Sequence, residues 1–291
     1  MKAPPFTYHA PQRIADAVAL LASLDNARAL AGGQSLMAML NLRVTGPDHL
    51  VDLGRIPELV GIMENDTTIG VGAMTTQRAV ERSELVARCC PLLAEAVAHV
   101  GHQQTRNRGT IGGSICHLDP GAELPVVACA LDAELIVEGG AGTRTIAFRD
   151  FPEGYLTSQL QPDEILTRVN FPKVMARSGS AFLEFSRRPA DFAIVSVAVS
   201  ISLDHDGHIA RAAIAFGGIQ SAPARLSEAE TLLVGRVPDA DAWDRAAACA
   251  AALECDGDEL YPPDYRRDLC GVLLTRALAK ALQRARENAH V

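Results

Sequence analysis

Residues 106–125 read RNRGTIGGSICHLDPGAELP, and the glycine pair at the centre, Thr110-Ile111-Gly112-Gly113-Ser114, decides how the chain is read. A second pair lies in ALAGGQSL at 29–36, that is Ala29, Leu30, Ala31, Gly32, Gly33, Gln34, Ser35 and Leu36. Each pair has a hydroxyl residue close behind it. Glycine lets the backbone take positive φ and approach a bulky anion. Successive N–H groups can then point into one concavity, and Ser or Thr hydroxyls add donors. A strand over 27–31 leads into the first pair and a helix is expected from Ser35, which would bring a helix N-terminus to the same anion. The GxxxxGK[ST] and GxGxxG patterns are both absent, so a pyrophosphate cradle of neither the ATP nor the Rossmann kind is implied. Either pair alone reads equally well as a turn, and Gly139-Gly140 and Gly217-Gly218, at strand ends, read as turns.

Working outward, the 291 residues carry 27 basic and 35 acidic side chains, a net charge of −8. That balance excludes an electrostatic footprint for nucleic acid or an anionic membrane. The chain is 48% hydrophobic and 21% charged, a globular composition, and its length predicts about two domains. The start, MKAPPFTYHAPQ, has no apolar core. The apolar run at 192–203 is too short to span a bilayer and reads as a buried strand. No membrane span is expected. The cysteines are Cys89, Cys90, Cys116, Cys129, Cys249, Cys255 and Cys270, odd in number and without a CxxC pair. They read as reduced thiols of a cytoplasmic protein. Cys116-His117, His99-x-x-His102 and His205-x-x-His208 lack a second ligand pair at metal spacing, so no metal is expected.

Along the chain, an apolar face at Ile14, Val18 and Leu21 predicts a helix after Pro11. Residues 48–53 and 67–72 read as strands. Thr75 is placed to cap a short helix, and 83–100 reads as a longer helix broken near Pro91. Residues 101–121 read as loop, 123–131 as an apolar helix, and 133–139, 144–148 and 164–172 as strands. A polar connector at 173–179 marks a boundary. Beyond it, 182–186, 193–203 and 209–216 read as three strands, the last two joined antiparallel through the DHDGH turn. Helices follow over 225–234, 239–254 and 264–288. The expected fold is α+β, with domains at 1–175 and 176–291.

At the glycine segments the chain resembles the FAD-binding medium subunits of molybdenum-containing hydroxylases, the family of carbon monoxide dehydrogenase medium chains and xanthine dehydrogenase flavin domains. The resemblance runs nearly end to end, through 29–36, 106–125, FPEGYLTSQLQPDEIL at 151–166 and FLEFSRRPADFAIV at 182–195. RGTIGGS followed at fixed spacing by DPxxELP is its most specific part. It implies a two-lobed FAD domain of the vanillyl-alcohol oxidase type, then a smaller α+β domain with a three-stranded antiparallel sheet and helices. It further implies that 29–36 and 110–114 are the two FAD pyrophosphate loops. By the same resemblance Glu123 is an acidic cofactor residue facing ribose hydroxyls, Leu166 packs on the cofactor, and His117 and Asp119 sit inside the second loop. Ser114 replaces the family's usual asparagine, keeping a donor and an acceptor. Leu183 stands where several relatives have a lysine near the flavin. Phe192 stands where relatives have an aromatic near the ring and has no hydroxyl.

The implied function is electron exit. A molybdenum cofactor in a large partner subunit oxidises substrate, [2Fe–2S] clusters in a small subunit relay electrons, and FAD here hands them to a terminal acceptor. A dimer of such three-subunit units is the family's habit. The chemistry is the flavin's, so no side chain is expected to be catalytic. The alternative is a self-contained FAD oxidoreductase of the vanillyl-alcohol oxidase type, with residues 178–291 as substrate domain. Arg106 and Arg108 read as phosphate contacts or as solvated loop charges. Arg187 and Arg188 with Asp191 read as a loop near the ring or as surface pairing. Arg276, Lys280, Arg284 and Arg286 form a stripe on the last helix, read as a solvated face or a contact for an acidic partner.

Overall fold

The computed structural model describes residues 2–288. The first lobe contains β1 (Thr7–His9), α1 (Ile14–Ser23), β2 (Ala27–Leu30), α2 (Leu36–Asn41) and β3 (His49–Asp52). Its three strands are parallel in the order β1-β3-β2. The α1 face predicted from the sequence is the buried one, with Ala17, Val18 and Leu21 packed beside Val51, Leu53 and Ile165.

The second lobe begins with β4 (Ile62–Glu64) and β5 (Thr68–Gly72). The helices α3 (Gln77–Glu81), α4 (Glu84–Cys89), α5 (Pro91–Val97), α6 (Gln103–Arg106), α7 (Ile111–His117) and α8 (Glu123–Ala130) follow. Next come β6 (Glu134–Gly139), β7 (Gly142–Ala147), the hairpin β8 (Pro152–Gly154) and β9 (Thr157–Ser158), and β10 (Ile165–Pro172). The five-stranded sheet β4-β5-β10-β6-β7 is antiparallel throughout. Pro91 divides α4 from α5 as expected, because proline cannot supply the N–H a helix interior needs. Two readings need correction. Residues 101–121 are not all loop, since α6 and α7 lie within them. The α3 cap is Thr76, whose Oγ1 accepts from Ala79 N–H, whereas Thr75 binds the backbone of Gly61.

The last part contains β11 (Ser178–Ser186), β12 (Ala193–Leu203), β13 (Ile209–Gly217), β14 (Ala224–Arg225), α9 (Ser227–Leu233), α10 (Ala240–Ala251) and α11 (Pro263–Glu287). The sheet β11-β12-β13-β14 is antiparallel. It has four strands rather than three, because the two-residue β14 adds to the edge of β13. At the hairpin between β12 and β13, Asp204 accepts from the N–H groups of Asp206 and His208, and Gly207 takes φ +84. One face of this sheet lends Phe182, Ala198 and Ala215 to the second lobe's core, against α5 and α8. The other face packs on α9, α10 and α11. Burial on both faces explains why β12 is almost continuously apolar.

The seam is also polar. Glu95 of α5 accepts from Lys280 and Arg284 of α11, both at 2.6 Å, and from the Phe182 N–H at 3.1 Å. Two cations of the α11 stripe are therefore engaged inside the chain. Among the described residues no helix is long and apolar enough to cross a membrane. All seven cysteines are free thiols.

Candidate functional site

The first glycine segment links β2 to α2. Gly33 takes φ +73, a left-handed conformation that a side chain disfavours, and Gln34 Nε2 closes the turn on the Gly32 carbonyl at 3.2 Å. Ser35 enters α2 with φ −96 and ψ −50. The first N–H groups of any helix have no partner within it, so this turn carries donors. Gly32 has a different reason to be glycine. A Cβ there would strike the Arg108 carbonyl and lie 2.9 Å from the Gly109 Cα.

The second segment is built as a helix start, not as an open loop. Thr110 caps α7, its Oγ1 accepting from Gly113 N–H at 3.0 Å. The segment is tied to the turn after β5, where Gly112 donates to the Ala73 carbonyl at 2.8 Å and Ile111 to the Thr75 carbonyl at 3.1 Å. A Cβ on Gly112 would lie 2.8 Å from the Ala73 oxygen. One on Gly113 would lie 2.8 Å from Thr110 Oγ1 and 3.3 Å from the Ala31 Cβ. Glycines 32 and 112 thus serve close approach to neighbouring backbone, and Gly113 makes room for the Thr110 hydroxyl and the Ala31 side chain. Only Gly33 needs glycine for its φ.

The two segments line one cleft of about 810 Å³. From the first come Ala29, Ala31, Gly32, Gly33, Gln34, Ser35 and Leu36, and from the second Thr110, Gly112, Gly113 and Ser114. His117, Asp119, Glu123, Leu166 and Phe192 complete the expected set on the same cleft. Two expected residues stand off it. Ile111 is fully buried on the inner face of α7, and Leu30 turns its side chain beside Gly33, away from the cavity lining. Leu183 also stays away, packed on the α11 side of its sheet, while its neighbour Glu184 faces the opposite side.

Electrostatics differ along this wall. Glu123, in the first turn of α8, is only 4% exposed, and burial pushes its carboxyl up to about 8. That shift favours the uncharged form, which can donate as well as accept. Burial also holds the His117 imidazole below its ordinary range, against the opposing pull of Asp119. Asp119 Oδ1 accepts from Gly121 N–H at 2.9 Å and shapes the turn into α8. Phe192 is 62% exposed and sits at this end of the cleft, its Cβ 3.3 Å from where a Gly121 Cβ would lie.

Sequence reading missed Gln77. Its side chain lies beneath Gly109 on the cleft wall, 4% exposed, and its Oε1 is buried with no hydrogen-bond partner. A buried acceptor left unpaired is costly, and this one lies behind the cleft surface, under Gly109. The only signal in the sequence was a polar residue in a short helix, which is not distinctive. The turn that Gly33 makes into α2, with its unpaired first N–H groups, would suit the pyrophosphate of FAD, and the cleft fits the cofactor in this respect. Arg106 resolves as a brace. It pairs with Glu81 at 3.0 Å and donates to the Val100 and Gly101 carbonyls. Arg188 pairs with Asp191 on the surface at 3.2 Å. Among the described residues no group of three or more His, Cys, Asp or Glu side chains is placed to hold a metal.

Comparison with known proteins gives the same picture. Residues 4–174 match the family model described as the FAD binding domain in molybdopterin dehydrogenase. Residues 180–281 match the CO dehydrogenase flavoprotein C-terminal domain. The chain is 40% identical to the 6-hydroxypseudooxynicotine dehydrogenase complex subunit alpha of Paenarthrobacter nicotinovorans, over 98% of this chain and 97% of that one. It is 38% identical to the carbon monoxide dehydrogenase medium chain of Afipia carboxidovorans, over 97% and 98%. Among solved structures, carbon monoxide dehydrogenase from Hydrogenophaga pseudoflava aligns with TM-score 0.95 and 37% identity, covering 98% of this chain and 99% of that one. Quinoline 2-oxidoreductase from Pseudomonas putida 86 aligns with TM-score 0.93 and 36% identity, with the same coverage. The chain belongs to the family of FAD-binding medium subunits of molybdenum hydroxylases, the flavoproteins of multi-subunit oxidoreductases such as carbon monoxide dehydrogenase.

Proposed function

We propose that FAD occupies the cleft between the two glycine segments and that this subunit passes electrons to a terminal acceptor. They arrive from [2Fe–2S] clusters of a small partner subunit, and a large partner subunit holds the molybdenum cofactor. The observation that carries this reading is the meeting of Gly32 and Gly33 with Gly112 and Gly113 on one cleft. In this reading the backbone of 31–36 and 110–114 holds the pyrophosphate. Glu123 meets a polar edge of the cofactor, and Leu166 and Phe192 meet its rings. When bound, FAD supplies the redox chemistry and the protein supplies position and electrostatics. Leu166 and the buried wall behind it exclude water from one side of the cleft.

The relatives act on carbon monoxide, quinoline and a nicotine derivative, while their medium subunits are alike over nearly the whole chain. That supports placing substrate choice in the large subunit. A division at 175/176 and a dimer of three-subunit units complete the proposal. The test is the visible spectrum of the purified chain with its cofactor released and identified, followed by anaerobic mixing with the reduced iron–sulfur subunit. Bleaching of one bound FAD per chain is the expected result. Bound FAD that the reduced iron–sulfur subunit does not bleach would overturn the electron-transfer role.

A further inference from the structure

Among the described residues Phe192 is the only Phe, Tyr or Trp that lines the cleft, and it is 62% exposed. With so little of the side chain enclosed, its place over the cleft is set by the backbone beneath it. That backbone is the start of β12. The Ala193 carbonyl and the Phe192 Cβ lie 3.2 and 3.3 Å from where a Gly121 side chain would begin, so the turn ahead of α8 is seated on them. On the other flank Gly218, at φ +78, presses on the Ile194 carbonyl, and the Ala193 carbonyl is 3.2 Å from its would-be Cβ. The Gly218 N–H donates to the Pro120 carbonyl at 2.7 Å. Three chain segments, 120–121, 192–194 and 217–218, therefore meet behind Phe192.

One side chain closes this junction from the far side. Arg266, in the first turn of α11, is only 12% exposed. Its Nη1 donates to the Ile194 carbonyl at 2.7 Å and to the Gly218 carbonyl. Its Nη2 donates to Asp258 Oδ2 at 2.6 Å, and Asp258 Oδ1 accepts from the Leu260 and Tyr261 N–H groups, both at 2.8 Å. The guanidinium also stands 5.9 Å from the centre of the Tyr261 ring. Enclosing a cation is costly, and the donors of this one are spent on carbonyls from two different strands. A planar fork with fixed donor directions spans both carbonyls and the carboxylate at once, which a lysine ammonium does not.

We propose that Arg266 is a positioning residue for the cofactor: by fixing the Ile194 and Gly218 carbonyls it holds Phe192 in place against the rings of FAD. The proposal rests on the placement of FAD in the cleft. Arg266 does not line the cleft and acts through Phe192. Without the clamp the start of β12 is free to shift, and an exposed ring that must be ordered on binding gives up affinity that a preset ring keeps.

The test is a double-mutant cycle read as FAD affinity, by fluorescence titration of the cofactor-free chain. In the wild-type background Arg266→Gln weakens FAD binding about fivefold or more, and Arg266→Lys, which keeps the charge without the fork, falls between the two. Phe192→Ala weakens binding by at least as large a factor as Arg266→Gln. In the Phe192→Ala background Arg266→Gln costs less than about twofold more, because the ring it positions is gone. General loosening of the fold would give one factor in both backgrounds. Asp258→Asn, at the more exposed end of the clamp, removes the carboxylate that orients Arg266 and takes the place of Arg266→Gln in the cycle if that variant does not fold. Equal factors in the two backgrounds, or wild-type affinity in Arg266→Gln or in Phe192→Ala, overturn the positioning role and leave the FAD reading intact. A folded wild-type chain that binds no FAD overturns the FAD reading itself, and the positioning role with it.

Discussion

The Cα of Gly32 lies against the backbone carbonyl of Arg108, with the Gly109 Cα 2.9 Å from where a Gly32 side chain would begin. The approach to the second glycine segment is thereby seated on the first, and the two walls of the cleft are one packed unit. Gly33, one residue on, has a left-handed φ of +73 but only the Met37 and Leu30 side chains near a would-be Cβ, at 3.4 and 3.5 Å. Gly33→Ala is expected to lower stability by about 1–2 kcal/mol, the strain of a left-handed alanine. Gly32→Ala should cost more, because backbone must move. Urea unfolding of both variants checks the order, and equal losses would contradict the packing account.

The Thr110 hydroxyl holds the first turn of α7 through Gly113 N–H. Thr110→Val is expected to lose about 1 kcal/mol, the usual effect of a lost N-cap, and Thr110→Ser to lose much less. Thermal unfolding of the two variants at one pH is sufficient.

Glu95 joins the second lobe to α11. Burial alone would raise its carboxyl, but hydrogen bonds from Arg284, Lys280 and the Phe182 N–H hold it below the ordinary carboxylate range. A carboxyl whose folded pKa is depressed stabilises above its unfolded value of about 4.5 and loses that stabilisation as pH falls through the lower folded value. Glu95→Gln should therefore be less stable than wild type near neutral pH, by about 2 kcal/mol, with the gap closing in acid. Paired unfolding curves from pH 7 to pH 3 measure this. A gap that does not narrow would remove the carboxylate from the seam.

Glu123 has the opposite sign. Its folded pKa of about 8 exceeds its unfolded 4.5, so the unfolded chain releases a proton that the folded chain keeps. Its contribution is most favourable below pH 4.5 and is lost progressively as pH rises towards 8. Glu123→Gln in the FAD-free chain should flatten the decline of stability between those values. An unchanged decline would mean that Glu123 is ionised in the fold.

Much of this was legible in the residues. The pattern AIVSVAVSISL marks β12 at its observed bounds, and Pro91 marks the helix break, because burial and a missing N–H act locally. The short strands β1 and β4 were not legible, since three residues paired at a sheet edge leave no periodicity. The glycine segments pointed to the cleft, but for a partly different reason than the one inferred. Gly32 and Gly112 answer to distant backbone, at Arg108 and Ala73, and Gly113 to the Thr110 and Ala31 side chains, which sequence spacing cannot reveal. The stripe on α11 misled in the same way, because Lys280 and Arg284 find Glu95 some 185 positions earlier in the chain. Gln77 and Arg266 are placed by contacts across elements, and no local pattern announces them.

The central claim is that FAD sits on the two glycine segments. Fluorescence titration of the cofactor-free chain with FAD tests it, comparing wild type with Gly33→Val, a site where added bulk meets only side-chain ends. The account predicts one FAD per wild-type chain and at least tenfold weaker binding in Gly33→Val, with matching circular dichroism for both. Equal affinity in the two proteins, or no FAD bound by the wild-type chain, would contradict it.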